Sequence, residues 1–216
     1  MGICVVLADD HPLIRSGIRS TLELDSSIIV VGEASNGHDT QHYCQQHQVD
    51  VLLLDISMPG PSLVSMVTWL REHCPALRIL LLTAYDDDTY VRGALRAGVE
   101  GYLLKDEAPE ALIEAIHTVH QGGVWFSQSI VEKMYRWRRN QPVHDELASL
   151  TKREVDVLTA IAKGSSNRRI AEDLHLAEQT VRNYASSIYD KLNLHSRAEV
   201  VVWAMQNGFA NHDDRP

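Results

Sequence analysis

Over the first 123 residues, five short apolar runs alternate with helix-like segments, and this alternation restricts the chain more than any other feature. The runs are ICVVLAD (3–9), IIVVGEA (28–34), VDVLLLD (49–55), RILLLTA (78–84) and GYLLK (101–105). They are short and β-branched, as strands covered on both faces are. Between them lie PLIRSGIRSTLEL (12–24), HDTQHYCQQH (38–47), SLVSMVTWLREH (62–73), DTYVRGALRAG (88–98) and PEALIEAIHTVHQGG (109–123), all compatible with helices. Gly98 and Gly122-Gly123 stand where such helices would stop. The strict βα order predicts an α/β domain over residues 1–123, a flavodoxin-like, doubly wound sheet of five parallel strands.

The pattern ends at residue 124. Residues 124–147 hold one predicted helix, around 128–139, followed by polar residues and Pro142, which reads as a linker. From 148 to 211 every segment has helical period, predicting a small all-α domain of four helices, with a polar tail over 212–216. TKRE (151–154) forms a capping box, Thr151 capping the helix and Glu154 reaching back. A short segment (166–176) joins a long one (177–192) through HLAE, the arrangement a helix-turn-helix needs. The last segment, 196–208, closes the domain.

Charge narrows the possible partners. The 216 residues carry a formal charge of −9, but unevenly: 18 acids and 11 bases fall in 1–140, against 7 acids and 8 bases in 148–207. A nucleic-acid footprint, if present, must therefore be local and C-terminal. Cys4, Cys44 and Cys74 lack metal or redox spacing, as reduced thiols do. The first residues turn acidic before a secretory apolar region builds, and no apolar run approaches the ~20 residues of a membrane span. The expectation is a cytoplasmic protein with no membrane partner. His42 and His47, or His117 and His120, offer no third ligand, so solvated helix faces explain them better than metal sites.

In open α/β sheets the loops at the carboxyl ends of the strands build the site. Those ends carry Asp9-Asp10, Asp55, Thr83 and Lys105. Singly, each has a plain local explanation: a helix cap, a turn before Pro59-Gly60, a strand end, a helix entry. Jointly they put three carboxylates in one crevice, which repel unless a cation joins them. Oxygen ligands of this kind suit Mg²⁺. Asp55 then serves as a nucleophile that forms an acyl phosphate, with Lys105 supplying charge and Thr83 a hydroxyl.

The stretches ADDHP (8–12), LLLDISMPG (52–60), LLTAY (81–85) and GYLLKD (101–106) resemble the receiver domain of two-component response regulators. The second half resembles a LuxR-type helix-turn-helix, and the two together resemble a regulator of the NarL/FixJ type. The resemblance implies that Asp55 takes its phosphoryl group from a sensor histidine kinase. It further implies Mg²⁺ ligation by Asp10, Asp55 and the Ser57 carbonyl, with Asp9 acting through water. Thr83 and Lys105 would engage the phosphate, and Tyr102 would swing inward as Thr83 moves, a two-state switch that promotes dimerisation. Enzymatic activity beyond slow self-dephosphorylation is not implied. The chain departs from the family at Pro61-Ser62, where an acid and a glycine are common. Ser57 and Tyr85 flank the phosphoryl position, and Asp86-Asp87-Asp88 reads as a solvated helix entry.

In the long helix of the second domain, Val181, Ala185, Ile188 and Leu192 form the stripe for the core. The opposite face carries Gln179, Arg182, Asn183 and Ser186. Arg182 suits guanine and Asn183 adenine, while Thr180, Lys191, Arg168 and Arg169 suit phosphates of double-stranded DNA. Ala177 stands where a Ser or Thr cap is wanted. The last helix offers Val200, Val201, Trp203 and Ala204, partly to the core and, by the resemblance, partly to a second protomer on a two-fold operator. Two other classes compete with this reading. A phosphatase using an aspartyl phosphate wants an acid two residues after its nucleophile, where Ser57 stands; a binding module independent of phosphate would not need all five polar residues.

Overall fold

The computed structural model describes residues 2–84, 86–139, 149–207 and 209. Tyr85, the end of the expected linker from residue 140 on with Pro142, and the polar tail 212–216 lie outside the described residues. The chain divides into two compact units, 1–127 and 128–216.

In the first unit the elements follow one another as β1 (Ile3–Ala8), α1 (Pro12–Leu22), β2 (Ile28–Ala34), α2 (Gly37–Gln46), β3 (Val51–Leu54), α3 (Leu63–His73), β4 (Arg78–Thr83), α4 (Asp88–Ala97), β5 (Gly101–Leu104), α5 (Pro109–His120) and β6 (Trp125–Phe126). The sheet order is β2-β1-β3-β4-β5-β6, every pair parallel. The order reverses direction at β1/β3, which opens a crevice beyond the strand ends. All four residues of β3 are buried, as a central strand covered on both faces requires.

The sheet has six strands where the sequence predicts five. Gly122, at φ 85, ends α5 in a left-handed turn, and the chain then returns to pair Trp125 with Gly101 and Phe126 with Tyr102. A side chain at Gly101 would meet Leu80 and the Trp125 carbonyl, so this glycine permits the approach. Ser127 locks the addition: its N–H donates to the Tyr102 carbonyl at 3.0 Å, and its hydroxyl accepts from the Leu104 N–H at 3.0 Å. A two-residue strand is too short for any alternation to show in sequence.

The second unit contains α6 (Gln128–Arg139), α7 (Lys152–Ala162), α8 (Asn167–Leu174), α9 (Glu178–Lys191) and α10 (Arg197–Gln206). Its core includes Val157, Leu158, Ile161, Ile170, Val181, Ile188, Leu192 and Val200. Val201, Trp203 and Ala204 are buried too, with α10 packing on α7 and α6. The turn from α8 to α9 passes through His175 at φ 54, and the Leu176 N–H closes on the Ala171 carbonyl at 2.8 Å. That is a Schellman ending with histidine in the left-handed position glycine usually takes. Among the described residues no helix is long and apolar enough to cross a membrane.

Candidate functional site

Parallel register brings the carboxyl ends of the strands together. Ala8 pairs with Leu54 and Leu54 with Leu81, so Asp9 and Asp10 after β1, Asp55 after β3, Thr83 ending β4 and Lys105 after β5 share one crevice. The Lys105 ammonium lies 2.6 Å from Asp9 Oδ2 and 2.9 Å from Asp55 Oδ2. The Asp9 and Asp55 side chains are only 3% and 1% exposed, so the ammonium between them offsets a repulsion that water cannot screen. Burial by itself would lower the Lys105 pKa. The hydrogen bonds and charges of Asp9 and Asp55 outweigh it and hold the ammonium above its ordinary value.

Ser57 adds donors that the sequence reading overlooked. Its hydroxyl donates to Asp55 Oδ2 at 2.7 Å, the oxygen Lys105 also holds, and its N–H approaches Oδ1 at 3.3 Å. On the other side of the crevice the His11 N–H donates to Asp9 Oδ1 at 2.7 Å. The His11 ring Nδ1 lies 2.7 Å from Asp10 Oδ1 and 3.5 Å from Asp9 Oδ1. Asp10 Oδ1 is nevertheless a buried atom without a hydrogen-bond partner. One ligand atom from each of Asp9, Asp10, His11 and Asp55 can be chosen so that all lie within 4.8 Å of one another. Three carboxylates with an orphaned oxygen fit a hard divalent ion such as Mg²⁺. His11 was legible only as the residue after the acid pair.

Thr83 and Tyr102 are both fully buried. Thr83 pairs with Leu104 and Leu81 with Tyr102, so the two side chains stand on one face of adjacent strands. Burial, followed by the charges of Asp86 and Asp87, pushes the Tyr102 phenol up and keeps it neutral. Asp87 caps α4 by accepting from the Thr89 N–H at 2.9 Å, which accounts for part of the acidic run.

Pro61-Ser62 acquires a physical account. Ser62 caps α3, its hydroxyl accepting from the Ser65 N–H. Gly60, at φ 139, and Pro61 lie against Gly37, whose N–H donates to the Pro59 carbonyl at 2.8 Å. A side chain at Gly37 would press on Pro61 and Met66, so the start of α2 clamps the loop that carries Ser57.

In the second unit Gln179, Arg182, Asn183 and Ser186 are exposed on α9, opposite buried Val181, Ala185 and Ile188, and Thr180 is partly buried. Each arginine candidate is paired with an acid one turn away: Arg182 with Glu178 at 3.0 Å, Arg168 with Glu172 at 3.2 Å, Arg169 with Asp173 at 3.2 Å. Exposed pairs of this kind contribute about 0.3–0.5 kcal/mol and exchange easily for a phosphate. Gln179 donates to Asn183 at 3.1 Å. Lys191 is placed differently, its ammonium 2.7 Å from the buried Glu154. Glu154 also accepts from the Thr151 N–H and hydroxyl and from the Ser187 hydroxyl at 2.6 Å, so one carboxylate ties the start of α7 to the far half of α9. Burial opposes its charge, yet Lys191, Ser187 and Thr151 bring its pKa down to about 2. Ala177 starts α9 with no side-chain cap.

The family model described as the response regulator receiver domain matches residues 5–117, and that of bacterial regulatory proteins of the luxR family matches 148–204. The chain is 39% identical to the uncharacterized transcriptional regulatory protein YxjL of Bacillus subtilis over 210 residues, 95% of this chain and 96% of that one. It is 38% identical to the nitrate/nitrite response regulator protein NarP of Escherichia coli over 205 residues, 94% of this chain and 95% of that one. It is similar to the response regulator RcsB solved in complex with DNA, with a TM-score of 0.58, 25% identity, and 95% and 98% of the two chains covered.

Proposed function

The chain belongs to the response regulators that join a receiver to a LuxR-type DNA-binding domain, a non-enzymatic regulator family, and on that premise we propose that Asp55 is its phosphoacceptor. The observation that carries this is the Lys105 ammonium held between two buried carboxylates at the strand ends. In this reading an Asp55 oxygen attacks the phosphorus of a sensor kinase's phosphohistidine. The P–N bond breaks as the acyl phosphate forms. Lys105 meets the incoming charge, Ser57 orients the attacking carboxylate, and Thr83 turns its hydroxyl to the phosphate. Asp10, Asp55 and the Ser57 carbonyl, with Asp9 through water, would hold Mg²⁺, which would supply charge neutralisation.

Phosphorylation then draws on Thr83 and, along the same sheet face, on Tyr102, and shifts the protein toward a DNA-binding homodimer in the cytoplasm. Arg182 and Asn183 read bases, with Gln179 and Ser186 beside them. Thr180, Arg168 and Arg169 contact phosphates, and Lys191 reaches phosphate only by sharing its donors with Glu154. RcsB, solved in complex with DNA, supports DNA binding by likeness. The test adds Mg²⁺ and acetyl phosphate or beryllofluoride, then measures mass in solution and affinity for operator fragments. Dimerisation and tighter binding in the native protein, absent from Asp55→Asn, are expected; identical behaviour of the two would sink the phosphoswitch.

A further inference from the structure

We propose that Pro61 and Gly37 set how long a phosphoryl group stays on Asp55, by fixing the loop after β3 so that the Ser57 hydroxyl stays on the Asp55 carboxylate. The inference rests on Asp55 as phosphoacceptor and concerns the step that ends the signal rather than the one that starts it.

The clamp is built from two backbones in contact. The Gly37 N–H donates to the Pro59 carbonyl at 2.8 Å, and a Cβ on Gly60 would stand 2.9 Å from the Gly37 nitrogen and 3.0 Å from its Cα. A Cβ on Gly37 would come within 2.8 Å of both Pro61 Cδ and Met66 Cε. The methionine end can yield, but the pyrrolidine ring, with its fixed φ, cannot. Both supports are anchored. Asn36 caps α2 by accepting from the Asp39 N–H at 2.9 Å, Thr40 is fully buried, and Met66 in the first turn of α3 is buried too.

Ser57 lies in the span between Asp55 and this clamp. Its hydroxyl donates to Asp55 Oδ2 at 2.7 Å although the residue is exposed, where water competes for the same donor. A local turn on Asp55 is the competing explanation, since the Ser57 N–H approaches Oδ1. That contact is long at 3.3 Å, and by itself it leaves the hydroxyl free to rotate. A loop held at Pro59 and Pro61 restricts where Ser57, and with it the hydroxyl, can go.

Loss of the phosphoryl group returns charge to the carboxylate. Water attacks phosphorus, the P–O bond to Asp55 breaks, and its electron pair goes to the aspartate oxygen. One water hydrogen stays on the phosphate and the other leaves to solvent. A hydroxyl binds an ionised carboxylate more strongly than the uncharged carbonyl of an acyl phosphate. Ser57 therefore favours the product of this step, and a hydroxyl already in place lowers its barrier. Pro61 and Gly37 act through Ser57, as positioning residues.

The test loads the full chain with acetyl phosphate in saturating Mg²⁺, removes the donor, and follows the phosphorylated fraction by intact mass. Ser57→Ala is expected to slow its loss about fivefold, and Pro61→Gly and Gly37→Ala about threefold each. In the Ser57→Ala background the two clamp substitutions change nothing further, whereas an effect through the Ser57 carbonyl or through general loosening persists there. Loss unchanged or faster in Ser57→Ala or in either clamp variant that folds, or multiplied effects in the double variants, overturns the inference. No phosphoryl group on the native protein, or the same amount on Asp55→Asn, overturns the phosphoacceptor reading beneath it. Circular dichroism identifies a variant that misfolds, and the other clamp substitution then carries the test.

Discussion

Each unit of the molecule contains a lysine beside buried carboxylate, and the two centres differ in what they leave over. In the first, Lys105 serves Asp9 and Asp55 at once, a third acid stands beside them, and one Asp10 oxygen has no hydrogen-bond partner. In the second, Glu154 is alone and receives Thr151, Ser187 and Lys191, satisfying one carboxylate from three sides. A saturated centre holds structure together; one with surplus charge can do chemistry on whatever offsets that surplus. A lysine–carboxylate pairing therefore acts as a fastener in one place and, in the function proposed, as a reagent in the other.

The largest expected effect breaks the comparison at its reactive end. Asp55→Asn should abolish incorporation of a phosphoryl group by intact-mass measurement with acetyl phosphate, yet raise stability in urea by about 1 kcal/mol by relieving like-charge repulsion. Glu154→Ala should do the reverse, leaving phosphorylation intact and lowering the stability of the second unit by about 3 kcal/mol through unpaired buried donors. Loss of stability in the first variant, or none in the second, would mean the two centres are alike.

Acid sharpens the contrast. Glu154 titrates near 2 in the fold against an ordinary 4.5, so the unfolded chain binds its proton first as pH falls. Its contribution is complete above about 4.5 and disappears as pH drops toward 2. Glu154→Gln should flatten the pH dependence of second-unit unfolding in that window, followed by tryptophan fluorescence. Smallest of all, Ala177→Ser should stabilise the second unit by about 0.5–1 kcal/mol by giving α9 the cap it lacks, read as a shifted denaturation midpoint.

What the sequence disclosed follows the range of each signal. Periodicity and breakers are local, so the βα order, the capping box at Thr151 and the buried stripe Val181–Leu192 could be read directly. Topology extended that reach: a rule about strand ends gathered Asp9, Asp10, Asp55, Thr83 and Lys105 without coordinates. What escaped depends on contacts between segments distant in the chain or on very short ones. Half of Glu154's role lies within its own capping box; the other half lies with Ser187 and Lys191, 33 and 37 residues on. Pro61 is explained only by Gly37 across the loop, and β6 only by the glycine it pairs with. Ser57's hydroxyl was legible as a residue but not as a donor to Asp55.

The Lys105 bridge also sets an order of events. Its ammonium grips Asp55 from 50 residues away and Asp9 from 96, so the crevice cannot exist until β1, β3, β4 and β5 lie side by side. Contacts that span so much chain close late. A nascent chain still short of residue 105 can hold all three acids and no competent site. On the proposed role of Asp55, receptivity to phosphate is tied to assembly of the sheet as far as β5, and only chains folded that far can carry the signal.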